Sequence, residues 1–289
     1  MIRRQAQALL DAIGMDHRIH CRYHSLRARS GRFTASTPNL QQVNRAGGIR
    51  AAFYAPPGRV LVILDFSQIE LRIAAVLAGD KVMLEAFQRG EDLHILTASR
   101  VLGRPSGEVT KNDRQTAKAV NFGLVYGQRG AGLCTYARTN YGVTLTLEQA
   151  EELRARFFTT YKGLAQWHRT AWLRAPFVLE SRTLLGRRRL ARSDDTDWGR
   201  WQLLINHSVQ GTGADGLKRS LVRLFSELPP DARLIACVHD EVILEADRGD
   251  APQVEVWAAN VMVEEMSKLL PGIPVRVEHT ICESWNQKQ

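Results

Sequence analysis

Residues Val60 to Gly79 read V-L-V-I-L-D-F-S-Q-I-E-L-R-I-A-A-V-L-A-G. The apolar run at the start follows the turn-forming sequence P-P-G, and such a run is typical of a buried strand. Asp65 ends the run, Ser67 is a candidate N-cap, and apolar residues then recur at helical spacing as far as Gly79. The segment therefore predicts a strand, an acidic residue at its carboxyl end, and a helix.

The rest of the chain has a long helical middle and further strands near its C-terminus. We expect a short N-terminal helix closed by Gly14, and helices without strands from Lys81 to Trp172. Breaks are expected there at Gly103–Gly107, Gly130–Gly132 and Tyr141–Thr146. Beyond them we expect a basic loop at Arg182–Arg189, a helix at Gly199–Leu228, a hairpin of Leu234–Val238 with Val242–Leu244, a helix at Val254–Leu270 and a strand at Val275–Ile281. This pattern predicts an α+β fold, a mostly antiparallel sheet with helices and one helical insertion.

The composition excludes several classes of protein. Of the 289 residues 44% are hydrophobic and 24% are charged, which argues against collagen-like and disordered chains. No stretch approaches the roughly 20 apolar residues of a membrane helix, so we expect no membrane contact and a cytoplasmic location. The cysteines stand singly, without the paired spacing of a zinc site, at Cys21, Cys134, Cys237 and Cys282.

The charge of the chain favours a polyanionic partner. It has 39 basic and 30 acidic residues, a net charge of +9. Such an excess attracts nucleic acid at long range, although a basic protein without such a partner has the same composition.

Two aspartates are each presented at the rim of a buried strand. Asp65 ends the first apolar run, and Asp240 lies at the tip of the predicted hairpin. Two such carboxylates can hold two oxygen-seeking cations for phosphoryl transfer. The alternative is structural, because Asp is common at strand ends and turns, where it bonds to backbone.

The segment Lys111 to Gln128 places cations and aromatics on one helix face. Arg114, Lys118, Phe122 and Tyr126 are spaced at four-residue intervals. Cations neutralise phosphates and an aromatic ring packs against a sugar or base, so the face suits a nucleoside triphosphate. The alternative is structural: the cations would be exposed to solvent, and the aromatic residues further along the same helix would be buried in the core. Because the chain has no G-x-x-x-x-G-K-[ST] loop, side chains and metals would have to bind the phosphates.

Three segments stand in this order along the chain: D-F-S-Q-I-E-L-R (Asp65–Arg72), R-Q-T-A-K-A-V-N-F-G-L-V-Y-G (Arg114–Gly127) and V-H-D-E-V (Val238–Val242). They closely resemble motifs A, B and C of family A DNA polymerases, the bacterial DNA polymerase I type. The resemblance extends through Ser30–Gln42, Gly90–His94, Thr183–Arg189, Asn206–Asp215 and Glu283–Trp285. It covers the chain from about residue 15 to the end.

The resemblance implies a DNA-directed DNA polymerase. The primer 3′-hydroxyl would attack the α-phosphate of a bound dNTP at two Mg²⁺ ions, for which Mn²⁺ can substitute, and pyrophosphate would leave. Asp65 and Asp240 would bind the metals, and Glu241 would support the catalytic site beside them. Lys118 would donate a proton to the pyrophosphate.

The resemblance also implies a dNTP site on the helical part. Arg114, Lys118 and His94 would contact the triphosphate. The remaining contacts with sugar and base would come from the steric gate Glu70 with Gln68 in the same motif, from Phe122 on the sugar, and from Tyr126 beside the templating base.

Primer-template DNA is the implied partner. Arg32, Asn206 and Gln210 match family residues that touch DNA near the nascent pair, and His239 would lie near the primer terminus. Arg187 and the two arginines after it are suited to contact the DNA backbone. A run of basic residues is, however, more often simply exposed to solvent.

The chain also departs from the family pattern. Family members carry a helical thumb, and often a proofreading exonuclease, before this region, and we expect neither here. Val43 and Asn44 stand where the family usually has Ile-Pro, and Gln202 stands where an Arg directed at DNA is expected, with Arg200 nearby. These departures concern the affinity for primer-template rather than the chemistry.

The predicted organisation is a right-hand polymerase reduced to palm and fingers. An N-terminal helical stub would span residues 1–29, the palm residues 30–78 and 198–289, and the inserted fingers residues 79–197. One alternative is the catalytic part of a split polymerase, with the thumb on a partner chain. Another is a non-catalytic nucleic-acid-binding module, which has no need of both aspartates and the helix face. A third is a single-subunit RNA polymerase, against which Glu70 argues.

Overall fold

The computed structural model describes residues 2–43 and 48–287, so that Asn44 lies outside the described residues. The helices in chain order are α1 (Ile2–Leu10), α2 (Ile69–Ala78), α3 (Lys81–Gln88), α4 (Leu93–Val101), α5 (Lys111–Val125), α6 (Gly130–Tyr141), α7 (Leu147–Thr160), α8 (Lys162–Arg174), α9 (Asp197–Gln202), α10 (Ser208–Ser226) and α11 (Ala251–Ser267). The strands are β1 (Arg22–His24), β2 (Thr34–Ser36), β3 (Arg59–Phe66), β4 (Glu180–Arg182), β5 (Arg188–Leu190), β6 (Arg233–Val238), β7 (Glu241–Asp247) and β8 (Val277–Cys282).

A four-stranded antiparallel sheet has the order β6-β7-β3-β8. Strand β3 is central and buried on both faces, which is why its sequence is a continuous apolar run rather than an alternating one. Leu61 and Ile63 belong to a core cluster that includes Leu9 and Trp285, while α11 also contacts β3, β7 and β8. The predicted strand and the predicted hairpin are confirmed.

The chain divides into two compact units. The first comprises Met1–Ser67, Gly213–Lys268 and Val275–Gln289, and the second comprises Gln68–Thr212 and Leu269–Pro274. These bounds differ from the predicted domain limits, because α2 and residues 198–212 belong to the second unit. The division into palm and fingers stays a prediction.

Helices dominate the second unit, and a buried carboxylate joins two of them. Asp80, only 1% exposed, caps α3 by accepting from the Met83 amide at 3.1 Å, and its other oxygen accepts from the Leu164 amide at 3.1 Å. Gly163 permits this approach, because a Cβ there would lie 2.6 Å from the Asp80 backbone. The N-terminus of α8 is thereby held against the start of α3.

The predicted N-cap at Ser67 is wrong. Gln68 caps α2 in a left-handed conformation with φ of 53°, without a side-chain cap. The Ser67 hydroxyl instead donates to Glu278 Oε1 of β8 at 2.7 Å. The Ser67 hydroxyl therefore bonds to a neighbouring strand, although the local sequence predicted that it would cap the helix.

Two further expectations are corrected in the second unit. The predicted break at Gly130–Gly132 is the start of α6, where the Gly130 amide donates to Glu151 Oε1 at 3.0 Å. The predicted basic loop contains a small antiparallel ribbon in which β4 pairs with β5. Glu180 accepts from the guanidinium of Arg188 at 2.5 Å across this ribbon.

Among the helices of residues 2–43 and 48–287, none has both the length and the apolar character needed to cross a membrane.

Candidate active site

Two aspartates of the first unit lie at one edge of the four-stranded sheet. Asp65, near the end of β3, stands opposite Glu241, the first residue of β7. Asp240 precedes Glu241 in the turn that joins β6 to β7. Residues that face each other in antiparallel strands have Cα atoms about 5 Å apart, so the register brings the backbone of Asp65 close to that of the turn. Both predicted metal-binding aspartates therefore occupy the same edge.

Glu241 is buried and held by two side chains. Trp285 Nε1 donates to Glu241 Oε1 at 2.7 Å, and the Arg50 guanidinium lies 3.7 Å from the same oxygen. The guanidinium also lies over the Trp285 ring, 4.1 Å from its centroid. This arrangement fixes the first residue of β7 and thereby the turn that carries Asp240. The sequence did not assign a role to Arg50 or Trp285, although Trp285 lies in a family-like motif.

The turn between β6 and β7 has a strained residue and a cationic neighbour. His239 has φ of 59°, in the left-handed region, which few non-glycine residues adopt. Arg32 Nη2 lies 3.7 Å from Asp240 Oδ2. Before the turn, the Tyr23 hydroxyl accepts from the Cys237 amide at 3.0 Å, and burial raises the pKa of Tyr23. Arg32, His239 and Asp240, all predicted site residues, therefore lie around one turn.

The donor set at this edge suits Mg²⁺. That ion usually takes one or two carboxylates and completes its shell with water and substrate phosphates. Asp65 is half-buried and the Asp240 side chain is 23% exposed, so both carboxylates reach the surface. No cluster of three or more metal-ligating side chains occurs within the described ranges. The edge therefore fits an ion whose other ligands come from solvent and substrate.

In the second unit, α5 carries the predicted cationic and aromatic face. Thr110 and Asp113 form a capping box that fixes its first turn, and the helix continues to Val125. Arg114, Lys118 and Phe122 are half-buried on this helix, and Tyr126 is its C-cap residue. The predicted helical spacing of these residues is confirmed.

Arg114 is held by a carboxylate from α4's N-terminus. Its Nε and Nη2 donate to Asp92 Oδ2 at 2.9 and 2.7 Å. Burial raises the pKa of Asp92, but the bonds from Arg114 outweigh burial and hold that pKa below its usual value. Asp92 also caps α4 through the His94 amide at 2.7 Å. Asp92 thus orients a predicted phosphate-binding cation, a role the sequence did not indicate.

His94 is a buried neutral imidazole. Its Nδ1 lies 2.9 Å from Asn121 Nδ2, and burial lowers its pKa to about 3, with Asp92 opposing and Arg114 and Lys118 adding to the shift. Because the Asn121 amide donates to Nδ1, the ring proton lies on Nε2, which is buried and has no hydrogen-bond partner among the described residues. His94 therefore offers one unused donor. Its ring centroid lies 5.7 Å from that of Phe122.

Asn121 is itself oriented by a buried network. Thr97 Oγ1 lies 2.9 Å from Asn121 Oδ1 and 2.7 Å from the Tyr161 hydroxyl. No local sequence pattern relates the members of this network, because they lie on α4, α5 and the junction of α7 and α8.

Glu70 and Gln68 lie at the start of α2. Glu70 is half-buried in the first turn of the helix. The Oε1 atom of Gln68 is buried without a hydrogen-bond partner among the described residues. Tyr136 and Tyr141 of α6 lie near Glu70, and burial, with a smaller contribution from this carboxylate, raises the pKa of both phenols.

The predicted DNA-binding residues of this unit lie on and around the first turn of α10 and the segment before it. Asn206 is in a π-helical turn, Leu203–His207, and its Oδ1 is buried without a hydrogen-bond partner in the described part of the chain. Arg187 Nη2 donates to the Gly211 carbonyl at 2.8 Å, so this arginine is partly engaged within the fold. Gln210 is half-buried, one residue before Gly211.

Comparison with known proteins decides the family. A profile of DNA polymerase family A matches residues 2–287. The chain belongs to DNA polymerase family A. The predicted resemblance and the α+β fold class are thereby confirmed.

Relatives and a solved structure agree with this membership of family A. The chain is 39% identical to DNA polymerase I of Aquifex aeolicus over 275 residues, which cover 93% of this chain and 46% of that protein. It is 34% identical to the thermostable DNA polymerase I of Thermus aquaticus over 279 residues, 93% of this chain and 32% of that protein. The polymerase domain of Pol1 from M. smegmatis, solved with DNA primer-template and dNTP, superposes with a TM-score of 0.83 at 29% identity, over 97% of this chain and 50% of that one. The family A chain therefore spans about half, or less, of the length of these relatives.

Proposed function

We propose that this chain catalyses DNA-directed DNA synthesis, adding dNTPs to the 3′ end of a primer. The observation that carries the proposal is the register of β3 with β7, which puts Asp65 and Asp240 at one sheet edge in a chain of family A. A purely structural role would not need two surface-reaching carboxylates there.

Primer-template DNA and dNTPs are the proposed ligands. The Pol1 structure that this chain resembles holds both, at a sequence identity of 29%. The net charge of +9 favours a polyanion in addition.

Asp65 and Asp240 would hold the divalent ions. When bound, two Mg²⁺ ions would activate the primer 3′-hydroxyl and stabilise the leaving pyrophosphate. Glu241, fixed by Trp285 and Arg50, would keep the Asp240 turn in place rather than serve as a ligand, because its Oε1 is already hydrogen-bonded.

The α5 face would bind the dNTP. The guanidinium of Arg114 and the ammonium of Lys118 would neutralise phosphate charge, and the neutral His94 would donate from Nε2 to a phosphate oxygen. Lys118 would also protonate the pyrophosphate as it leaves. Phe122 would pack on the sugar, Tyr126 would stand beside the templating base, and Glu70 with Gln68 would close the space of a ribose 2′-hydroxyl.

Primer extension by two single variants tests the proposal. Asp65→Asn and Asp240→Asn should each lower single-nucleotide addition at least about 100-fold, because an amide cannot replace a charged metal ligand. Asp250→Asn, at an exposed aspartate of the same unit, is the matched control and should extend normally. Circular dichroism would show that all three variants fold.

Two results would contradict the proposal. Normal extension by Asp65→Asn or Asp240→Asn in Mg²⁺ would show that these carboxylates do not hold the metals. Binding of primer-template by the wild type without any extension would instead favour the non-catalytic module.

A further inference from the structure

A series of buried hydrogen bonds leads to His94 from the junction of α7 and α8. Its members are Tyr161, Thr97, Asn121 and His94, each at most 1% exposed. The Tyr161 hydroxyl lies 2.7 Å from Thr97 Oγ1, which lies 2.9 Å from Asn121 Oδ1. Asn121 Nδ2 in turn lies 2.9 Å from His94 Nδ1. Because all four side chains are buried, bulk water does not compete for these bonds.

Tyr161 is held in place by groups outside the series. Its ring meets that of Phe157 edge-on, with 4.8 Å between the centroids, and its amide donates to the Phe157 carbonyl at 2.8 Å. Burial raises the pKa of Tyr161 to about 12, so the phenol keeps its proton at neutral pH. The junction of α7 and α8 therefore supplies a fixed hydroxyl that can always donate.

The direction of each bond follows from which atoms can donate. An amide oxygen only accepts, so the Thr97 hydroxyl must donate to Asn121 Oδ1. The same hydroxyl lies 2.8 Å from the Leu93 carbonyl, which also only accepts, and it has one proton for both. No proton of Thr97 is left for Tyr161, and the phenol must therefore donate to Thr97.

The orientation of the Asn121 amide decides where the proton of His94 lies. With Oδ1 at Thr97, the amide nitrogen donates to Nδ1 and the ring proton lies on Nε2. All the bonds then run from the phenol towards the imidazole, and bonds in such a series strengthen one another. If the amide turned over, the ring would donate from Nδ1 and Nε2 would carry a lone pair.

The phenol of Tyr161 favours the first of these two orientations. Its proton satisfies a lone pair of the buried Thr97 oxygen. Without the phenol, that oxygen would need another donor, because a buried acceptor without one is costly. The Asn121 amide nitrogen could become that donor by turning over, while the Thr97 proton stayed on the Leu93 carbonyl.

We propose that Tyr161 and Thr97 are positioning residues that keep the proton of His94 on Nε2, where it can bind a phosphate oxygen of the dNTP. Both act through Asn121. The identity of the ligand as a dNTP rests on the proposed function, whereas the fixed tautomer is a property of the chain without ligand.

Nuclear magnetic resonance of the ligand-free chain tests the tautomer. Ring ¹⁵N shifts distinguish a protonated nitrogen from a bare one, and His94→Gln identifies the signals of His94 among the eight histidines. Wild type should be protonated on Nε2. Tyr161→Phe and Thr97→Val should each gain a population protonated on Nδ1, while Thr97→Ser keeps the hydroxyl and should match the wild type. The control Thr159→Val removes an exposed hydroxyl that donates to the Ala155 carbonyl at 2.9 Å, and it should change nothing.

Single-nucleotide addition kinetics test the consequence for the dNTP. Tyr161→Phe and Thr97→Val should raise the KM for dNTP roughly fivefold, the effect of losing one hydrogen bond. Their kcat should change less than about twofold, because the phosphate stays bound throughout the reaction and the lost binding is uniform. Tyr54→Phe, at a tyrosine that is 72% exposed, should leave both constants unchanged.

The outcomes separate this proposal from the polymerase proposal. Protonation of His94 on Nε2 in Tyr161→Phe and Thr97→Val, as in the wild type, would overturn it, and so would an unchanged KM in both variants. A proton that moves to Nδ1 in these two variants and stays on Nε2 in Thr97→Ser and Thr159→Val supports it, even in a wild-type chain that fails to extend a primer. That last failure would count against the proposed synthesis alone.

Discussion

At the residue scale, His94 combines burial with an unused donor. Its Nδ1 is taken by Asn121, so its only proton lies on Nε2, where no described partner accepts it. A buried donor without an acceptor costs about 1–3 kcal/mol of free energy. A hydrogen bond from Nε2 to a phosphate oxygen would remove that cost. The residue is therefore better suited to a ligand than to the stability of the empty fold.

The lowered pKa of His94 predicts a loss of stability in acid. In the folded chain its pKa is about 3, against 6.5 for the ordinary imidazole, so the unfolded chain binds the proton first as the pH falls below 6.5. Between about pH 7 and pH 5 this one group should lower the free energy of unfolding by about 2 kcal/mol.

Urea unfolding of His94→Gln at both pH values checks this prediction. The variant should lose about 2 kcal/mol less than the wild type between them. An identical pH dependence in wild type and His94→Gln would show that the imidazole is not held neutral.

Glu70 allows a test of sugar selection. If its side chain occupies the space of a 2′-hydroxyl, Glu70→Ala should raise the kcat/KM for ribonucleotides relative to deoxyribonucleotides by more than about tenfold, through lost steric exclusion. Single-nucleotide kinetics with each nucleotide type measure the ratio. Glu85→Ala, at an exposed glutamate of α3, should leave it unchanged. If Glu70→Ala discriminates between ribonucleotides and deoxyribonucleotides as the wild type does, Glu70 does not line the sugar pocket.

At the element scale, the turn from α5 to α6 depends on one glycine. Gly127 has φ of 76° and packs against Trp201 and Ile205, with no room for a Cβ. The turn therefore satisfies a backbone requirement and a packing requirement at the same residue.

Two glycine substitutions separate these requirements. Gly127→Ala should lower the free energy of unfolding by about 2–4 kcal/mol, combining left-handed strain with overpacking. Gly142→Ala at φ of 67°, with nothing near the new Cβ, should cost only about 1–2 kcal/mol from strain. Chemical denaturation measures both. Equal losses would mean that the Trp201 ring yields to the new methyl group.

At the scale of the whole molecule, the net charge of +9 predicts salt-sensitive DNA binding. Each neutralised phosphate adds about 0.9 to the log–log slope on duplex DNA, so two contacts suffice for about a tenfold loss of affinity between about 50 and 200 mM salt. Anisotropy of a labelled primer-template measures the slope, with circular dichroism as the control for folding. An affinity independent of salt would exclude phosphate contacts as its source.

The expected lack of a thumb and of proofreading stays a prediction. The relatives are about twice as long as this chain or longer, so their further activities are not transferred to it.

The sequence by itself predicted the family, the central strand, the hairpin and the α5 face. These features depend on local patterns: a continuous apolar run, two apolar runs around His239, Asp240 and Glu241, and cations and aromatics at four-residue spacing. Motifs in family order then identified the remaining site residues as candidates.

Only the tertiary structure decided how those residues are held. Trp285 and Arg50 hold Glu241, and Asn121 fixes the proton of His94. The Ser67 hydroxyl donates to Glu278 of β8 rather than capping α2. In each case the partners are distant in the chain, so no local periodicity relates them, and their contacts exist only once the sheet and helices have packed.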